Sequence, residues 1–255
     1  MDKTLLKGLS VLEAVINLRD GVQTIDELAN HVGLTRSNAH RTLQTLVHAG
    51  YVERDPVFGG FRGTMKMFEL GARSLRRLDV RKIAPPYLEQ LADATRETVH
   101  LSVLDGLDVV YIDKIDGALP IRSYTSLGGR APAYAVATGK ALLAHQSAHY
   151  LDQFDGKFEP FTNLTITNRE ALMRELEKVR KTGYSVNRGE WREGVGGLAA
   201  PIVDGSDKVV AAIGISCPTD RLPNTRIKEL GPLVARVAFQ LSRAMGCMKD
   251  YAFGA

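Results

Sequence analysis

The side chains between Gly33 and Gly50 are of the types that bind nucleic acid. The apolar residues of this stretch recur at the period of one helix face, and they are Ala39, Leu43, Leu46 and Val47. The other face carries hydroxyls, amides and a guanidinium, and no acidic residue occurs from Asn30 to Val52. Such a face suits base edges and the phosphates beside them, although an ordinary solvated helix is the alternative. The candidate DNA-contacting residues here are Thr35, Arg36, Ser37, Asn38, His40, Arg41 and Gln44.

Two earlier helices are expected to position this stretch. The apolar stripe of the first helix consists of Leu5, Leu9, Leu12 and Ile16, and that helix is expected to end near Gly21. A capping box from Thr24 to Glu27 begins a second helix, which reaches about His31. Gly33 makes the turn and Thr35 caps the third helix. This order is that of a helix-turn-helix.

A short hairpin follows the third helix. Tyr51–Arg54 and Phe61–Arg62 are predicted strands, and the glycine pair 59–60 supplies the bend. A hairpin at this place is a wing, and Arg54 and Arg62 are candidates for phosphate contacts. Simple solubility is the other explanation for these two arginines.

A basic helix is expected over residues 65–80, before Pro85 and Pro86 mark a boundary. Its charge either attracts DNA without sequence preference or only solvates a linker. The predicted division is therefore a DNA-binding domain over 1–63, a linker helix over 64–82 and a ligand-binding and oligomerisation domain over 83–255.

Strands grouped as hairpins and flanked by helices characterise the rest of the chain, which indicates an α+β domain with an antiparallel sheet. The predicted strands are 99–104, 109–115, 121–124, 183–188, 198–203 and 208–216. The predicted helices are 87–97, 140–146, 168–182 and 224–245. The strands and helices do not alternate in the way that would predict a parallel sheet. The glycine-rich stretches do not have the spacing of nucleotide-binding motifs.

Three stretches of this second part are candidates for a ligand pocket. Residues 137–140 enter a helix, whose free amides hold carboxylates or phosphates well; the alternative is that Thr138 serves only as the helix cap. The loop from Glu190 to Gly197 either shapes a pocket or merely bends. Ser216 and Cys217 end an apolar strand, and an enzyme that uses one of them as nucleophile is the alternative function; the sequence offers no ordered base for it.

The composition fits a soluble protein of a reducing cytoplasm. The chain has 255 residues with 44% hydrophobic residues, a formal net charge of +4 and two cysteines. We expect no secretory signal, membrane span, metal site or cofactor.

Four segments together resemble the IclR (isocitrate-lyase regulator) family of bacterial transcription factors over essentially the full length. They are RSNAHRTLQTLVHAGYVERD (36–55), GGRAPAYAVATGKALLA (128–144), GVGGLAAPI (194–202) and AIGISCP (212–218). The resemblance implies a winged helix-turn-helix, a linker helix and a GAF-like domain that binds small carboxylates. It also implies a homodimer or homotetramer on palindromic double-stranded DNA.

By motif position, the resemblance places the amides of Ala137 and Thr138 at a carboxylate. Side-chain positions that contact ligand in some members fall on Asn187, Gly197, Gly214 and Ser216, and Glu190 joins them from the polar loop. Asn187 stands where such members have an acid, Gly197 where they have a cysteine and Gly214 where they have a serine. We therefore expect a ligand larger or less polar than a two-carbon acid, such as an aromatic or sugar-derived carboxylate.

Overall fold

A computed structural model describes residues 1–18, 24–57, 59–75, 79–119 and 126–248. Its contacts divide the chain into two compact units, residues 1–77 and residues 78–255. Among the described residues, no helix combines the length and apolarity needed to cross a bilayer.

The first unit consists of three helices, a two-stranded hairpin and a fourth helix. The helices are α1 (Lys3–Asn17), α2 (Ile25–Val32), α3 (Arg36–His48) and α4 (Met65–Leu75), and the strands are β1 (Val52–Arg54) and β2 (Phe61–Gly63). Gly33 ends α2 in the left-handed conformation at φ 64°, which turns the chain into α3. The predicted end of α1 near Gly21 and the turn residue Phe58 lie outside the described residues.

The buried face of α1 differs from the predicted stripe. Val11, Ala14 and Val15 pack into the core with Leu28 and Leu43, whereas the predicted residues are mostly exposed: Leu5 by 62%, Leu9 by 47% and Ile16 by 45%. The helix was correctly predicted but its core face was wrong, because α1 carries two apolar stripes. Only one of them faces α2 and α3.

The second unit contains a six-stranded antiparallel sheet in the order β5-β4-β3-β8-β7-β6. The strands are β3 (Thr98–Asp105), β4 (Asp108–Ile115), β5 (Arg130–Pro132), β6 (Ser185–Arg188), β7 (Val195–Val203) and β8 (Val209–Pro218). The helices are α5 (Asp79–Ile83), α6 (Pro85–Thr95), α7 (Ala137–Leu143), α8 (Ala148–Leu151), α9 (Arg169–Thr182) and α10 (Asn224–Ala244). The strand predicted over 121–124 lies outside the described residues, and the short β5 and α8 were not predicted.

Each face of this sheet has its own apolar core. Alternate residues of β3, β7 and β8 pack against α6 and α10 on one face. The opposite face packs against α7 and, through it, against α9. The inward stripes predicted for α9 and α10 are confirmed, because Leu172 and Leu176 of α9 and Val234 and Leu241 of α10 are buried.

Gly139 allows α7 to lie close to the preceding turn of chain. A Cβ atom at this position would lie 2.0 Å from the carbonyl oxygen of Ala133, so a larger residue forces the backbone apart. This close approach fixes where α7 begins above the sheet.

Candidate functional site

Helix α3 displays the polar face that the sequence predicted. Its cap is Thr35, whose Oγ1 accepts the amide hydrogen of Asn38 at 3.4 Å. Ala39 and Leu43 are buried, which turns the opposite side of the helix to solvent. The exposed residues of that side include Arg36, Ser37, His40, Arg41 and Gln44. Asn38 is half-buried and its Oδ1 accepts a hydrogen bond from Arg41 Nη2 at 3.3 Å.

The three other candidate arginines of the first unit, Arg36, Arg54 and Arg62, have local partners. Arg36 pairs with Asp26 at 3.0 Å, and Arg54 Nε donates to the carbonyl oxygen of Gly59 at 3.2 Å. Arg62 is held by two acids of the hairpin, Glu53 at 2.8 Å and Asp55 at 3.2 Å. Exposed pairs of this kind are weak, so a phosphate can replace the carboxylate. The contact of these arginines with DNA stays a prediction.

A pocket lies in the second unit, on the face of the sheet that α7 covers. The space within it, together with solvent space at its opening, is about 450 Å³, which is in the range of sites for small molecules. Its walls come from α7, from β3, β4, β6, β7 and β8, and from the loop before β7. The lining residues are His100, Tyr111, Val136, Ala137, Thr138, Asn187, Trp191, Arg192, Val195, Gly196, Gly197, Ile215 and Ser216.

The start of α7 presents backbone amides to this pocket. Val136 is the cap residue, and no side chain caps the helix among the described residues. The structure therefore rejects the alternative that Thr138 is only a cap: its Oγ1 is buried and makes no hydrogen bond within the described part of the chain. Ser185 Oγ donates to the carbonyl oxygen of Ala137 at 2.6 Å, which holds the first turn of α7 against β6.

A buried ion pair joins α7 to the loop over the pocket. Lys140 is fully buried, and its Nζ lies 2.6 and 2.8 Å from the two carboxylate oxygens of Glu190. The same ammonium donates to the carbonyl oxygen of Val186 at 2.6 Å and lies 3.6 Å from Glu175. Burial raises the pKa of Glu190, and the charge of Lys140 opposes that rise.

Further hydrogen bonds fix the loop around Glu190. Asn187 Oδ1 accepts the amide hydrogens of Gly189 and Glu190 at 3.0 and 2.9 Å. The hydroxyl of Thr162 donates to the carbonyl oxygen of Gly189 at 2.8 Å, and that of Thr165 to the carbonyl oxygen of Glu190 at 2.5 Å. Because the oxygen of Asn187 is engaged by the loop, only its amide nitrogen remains to meet a ligand.

His100 and Tyr111 form a neutral part of the pocket floor. Their ring centroids are 5.0 Å apart. Burial lowers the pKa of His100 to about 4, with a further lowering by the charge of Lys114 that Asp116 opposes. Burial raises the pKa of Tyr111 to about 12. Both groups are therefore uncharged near neutral pH.

The structure brings together five of the seven predicted ligand-binding residues: Ala137, Thr138, Asn187, Gly197 and Ser216 line the pocket. Glu190 lies outside the pocket lining and forms an ion pair with Lys140. Gly214 lies beside His100 in the sheet, also outside the lining. At Gly197 a Cβ atom would lie 2.5 Å from the carbonyl oxygen of Ile215, so the missing side chain cannot be replaced without a shift of β8.

The candidate ligand-binding residues chosen from the sequence did not include His100, Tyr111, Trp191 or Arg192. Tyr111 and His100 occur in alternating strands, but alternation alone does not say which face a ligand meets. Trp191 and Arg192 lie in the polar loop that the sequence singled out, directly after the candidate residue Glu190.

Cys217 cannot serve as the nucleophile of the alternative enzyme. It is fully buried in the core beneath α6 and α10, on the face of the sheet opposite the pocket. Burial raises the pKa of its thiol to about 11, with a further rise from the charge of Glu97. The thiolate that nucleophilic attack needs is therefore absent at neutral pH.

Comparison with known proteins agrees with both units. Residues 4–56 match the IclR helix-turn-helix domain, and residues 72–243 match the C-terminal domain of bacterial transcriptional regulator IclR. The HTH-type transcriptional regulator KdgR of Escherichia coli is 36% identical, covering 98% of this chain and 95% of that protein. XynR of Escherichia coli, another HTH-type transcriptional regulator, is 34% identical, covering 87% of this chain and 89% of its own length.

Solved structures give the same result. IclR of Thermotoga maritima has a TM-score of 0.80 and 33% identity, covering 95% of this chain and 98% of that one. An IclR homolog of Microbacterium hydrocarbonoxydans, complexed with 4-hydroxybenzoate, has a TM-score of 0.81 and 26% identity, covering 95% of this chain and 100% of that one. The fold, the displayed helix α3 and these matches define a bacterial transcriptional regulator with a helix-turn-helix DNA-binding domain. The chain belongs to the IclR family.

The buried ion pair yields a stability prediction. Lys140→Met leaves Glu190 buried without its partner, so we expect the free energy of unfolding of the second unit to fall by about 3–5 kcal/mol. Denaturant unfolding followed by the emission of Trp191, the single tryptophan of the chain, measures this unit. The matched control is Lys178→Met, which removes an exposed lysine 3.2 Å from Glu175 and should cost about 0.5 kcal/mol or less. Equal effects of the two substitutions contradict this account.

The buried histidine yields a pH prediction. The pKa of His100 is about 4 in the folded state and 6.5 in the unfolded chain, so the unfolded state binds the proton more tightly. Stability should therefore fall as the pH drops from about 6.5 to 4, by roughly 3 kcal/mol in all. In His100→Gln, the free energy of unfolding measured across this pH range should lose most of this dependence on pH. His145, whose pKa burial also lowers, adds a smaller slope of the same sign, and His145→Gln measures it.

Proposed function

We propose that this regulator binds a small organic carboxylate in the pocket beside α7 and, as a dimer, reads a two-fold symmetric operator. The observation that supports the ligand most directly is the start of α7, where amides without a side-chain cap lie beside the buried hydroxyl of Thr138. Amides at a helix start favour an anion. The Microbacterium relative is complexed with 4-hydroxybenzoate, which carries a carboxylate.

The pocket floor supports a ligand larger than a two-carbon acid. Gly197, Asn187 and Ser216 line the same pocket, where Asn187 offers its amide nitrogen and Ser216 its hydroxyl. The neutral His100 and Tyr111 add aromatic surface without charge. A carboxylate held by the amides of Ala137 and Thr138, with a hydroxylated or aromatic body on this floor, uses all these groups.

Exposed apolar residues on α1 support a dimer. Leu5, Leu9 and Ile16 are each more than 40% exposed and form a stripe along one side of the helix. Such a stripe is costly in water unless a partner covers it, and the second copy that an operator with two-fold symmetry requires supplies that partner. Two copies of α3 then enter successive major grooves, and ligand affinity and operator affinity are linked reciprocally.

The DNA-binding role of α3 is tested by removing its exposed guanidinium. Arg41→Ala should weaken binding to the chain's own upstream DNA by about 1–3 kcal/mol, because a bidentate contact to a base is lost. Fluorescence anisotropy against a scrambled duplex at fixed salt measures the change. Lys3→Ala removes the same charge from exposed α1 and should have a much smaller effect. Unchanged operator affinity in Arg41→Ala excludes this residue from the interface.

The carboxylate site is tested by removing one amide while keeping the helix. Ala137→Pro deletes the donor at the first helical position, where proline fits and where the extended Val136 tolerates a following proline. Pyruvate, 4-hydroxybenzoate and gluconate serve as calorimetric probes, and those that bind the wild-type protein should bind this variant about tenfold or more weakly. Ala148→Pro makes the same change at the exposed start of α8 and should leave binding unchanged. Equal affinities in the two variants contradict the proposed site.

A further inference from the structure

Arg192 places a positive charge at the wall of the pocket. It follows Trp191 in the loop before β7, and both residues line the pocket. The guanidinium carbon of Arg192 lies 4.2 Å from the centroid of the Trp191 ring. Arg192 is exposed, and a cation stacked on an indole face at such a position is stabilised modestly, so the ring favours this placement of the guanidinium.

No carboxylate neutralises this charge within the described part of the chain. Arg130, Arg169 and Arg221 of the same unit each hold a carboxylate at 3.1 Å or less. Arg192 makes no such pair, although Glu193 is its neighbour in the sequence. The other acid of the loop, Glu190, already binds Lys140.

The charge of Arg192 reaches the interior of the pocket. It acts on the phenol of Tyr111, whose pKa it lowers against the larger rise caused by burial. Tyr111 and Arg192 line the same pocket as the first residues of α7, so one small molecule can contact both the start of α7 and the guanidinium. The lining also includes Ser216 and Asn187, whose side chains are hydrogen-bonding groups rather than charges.

We infer that Arg192 is a specificity-determining residue that binds a second anionic group of the effector, so that the effector is a small bifunctional acid. Its first carboxylate lies at the start of α7, an assignment that rests on the proposed function. Its second group, a carboxylate or a phosphate, pairs with Arg192, and hydroxyls between the two meet Ser216 and Asn187. Arginine suits such a group because its planar guanidinium donates two parallel hydrogen bonds to a carboxylate or a phosphate.

The test compares acids that differ only in the second charged group. Calorimetric titration of the full-length protein uses two matched pairs, gluconate with glucarate and benzoate with terephthalate, and 6-phosphogluconate distinguishes phosphate from carboxylate. In at least one pair the diacid should bind the wild-type protein about tenfold more tightly than the monoacid, as expected for a charge-assisted contact. The advantage should shrink as salt is added.

Arg192→Gln should reduce that advantage to about twofold or less, and Arg192→Lys should restore part of it. Arg188→Gln removes an exposed arginine of β6 outside the pocket lining and should preserve the full advantage. Monoacids that bind as tightly as diacids, or an advantage that survives Arg192→Gln, overturn the role of Arg192 but leave the carboxylate site standing. A wild-type protein that binds none of these acids overturns both.

Discussion

The pocket depends on the buried contact between Lys140 and Glu190. Lys140 belongs to the helix that offers its amides to a ligand, and Glu190 belongs to the loop that carries Trp191 and Arg192. Two charges within 2.6 Å of each other and out of water are stable only as a pair, because either one alone faces the cost of desolvation. The pair therefore holds two walls of the pocket at a fixed distance. Asn187, Thr162 and Thr165 complete the arrangement by satisfying the polar backbone of the loop.

In this arrangement Lys140 and Glu190 have a structural role, and the guanidinium of Arg192 remains available to bind a ligand. Lys140 and Glu190 neutralise each other away from the lining, and the groups of the floor, His100 and Tyr111, are kept neutral by burial. What faces the occupant is a helix start, a few hydrogen-bonding side chains and one stacked guanidinium. A pocket with so few charges distinguishes between ligands by the positions of their negatively charged groups. The two faces of helix α3 also have separate roles. Its acid-free face is exposed, and its apolar residues pack into the core with α1 and α2.

Most elements were predictable because their signals are local. The stripes of α9 and α10, the cap of α3 by Thr35 and the left-handed Gly33 depend on residues within one or two turns of each other. The hairpin of β3 and β4 was predicted for the same reason, since its turn and its alternation lie in one short stretch. The family resemblance added the carboxylate positions, of which Ala137 and Thr138 lie together at the pocket. It did not supply Arg192, whose significance depends on a stacked ring and on the absence of a carboxylate paired with it in the described structure.

The sequence by itself determined most of the secondary structure, the presence of a helix-turn-helix and the family, because periodicity, caps and motif order depend on neighbouring residues. Only the tertiary structure decided which face of each element is used. It turned Ser216 to the pocket and Cys217 to the opposite core, left the predicted stripe of α1 exposed, and paired Lys140 with a residue 50 positions away. These outcomes depend on which distant surfaces meet. Packing and desolvation are settled between elements, and no local pattern specifies the partner.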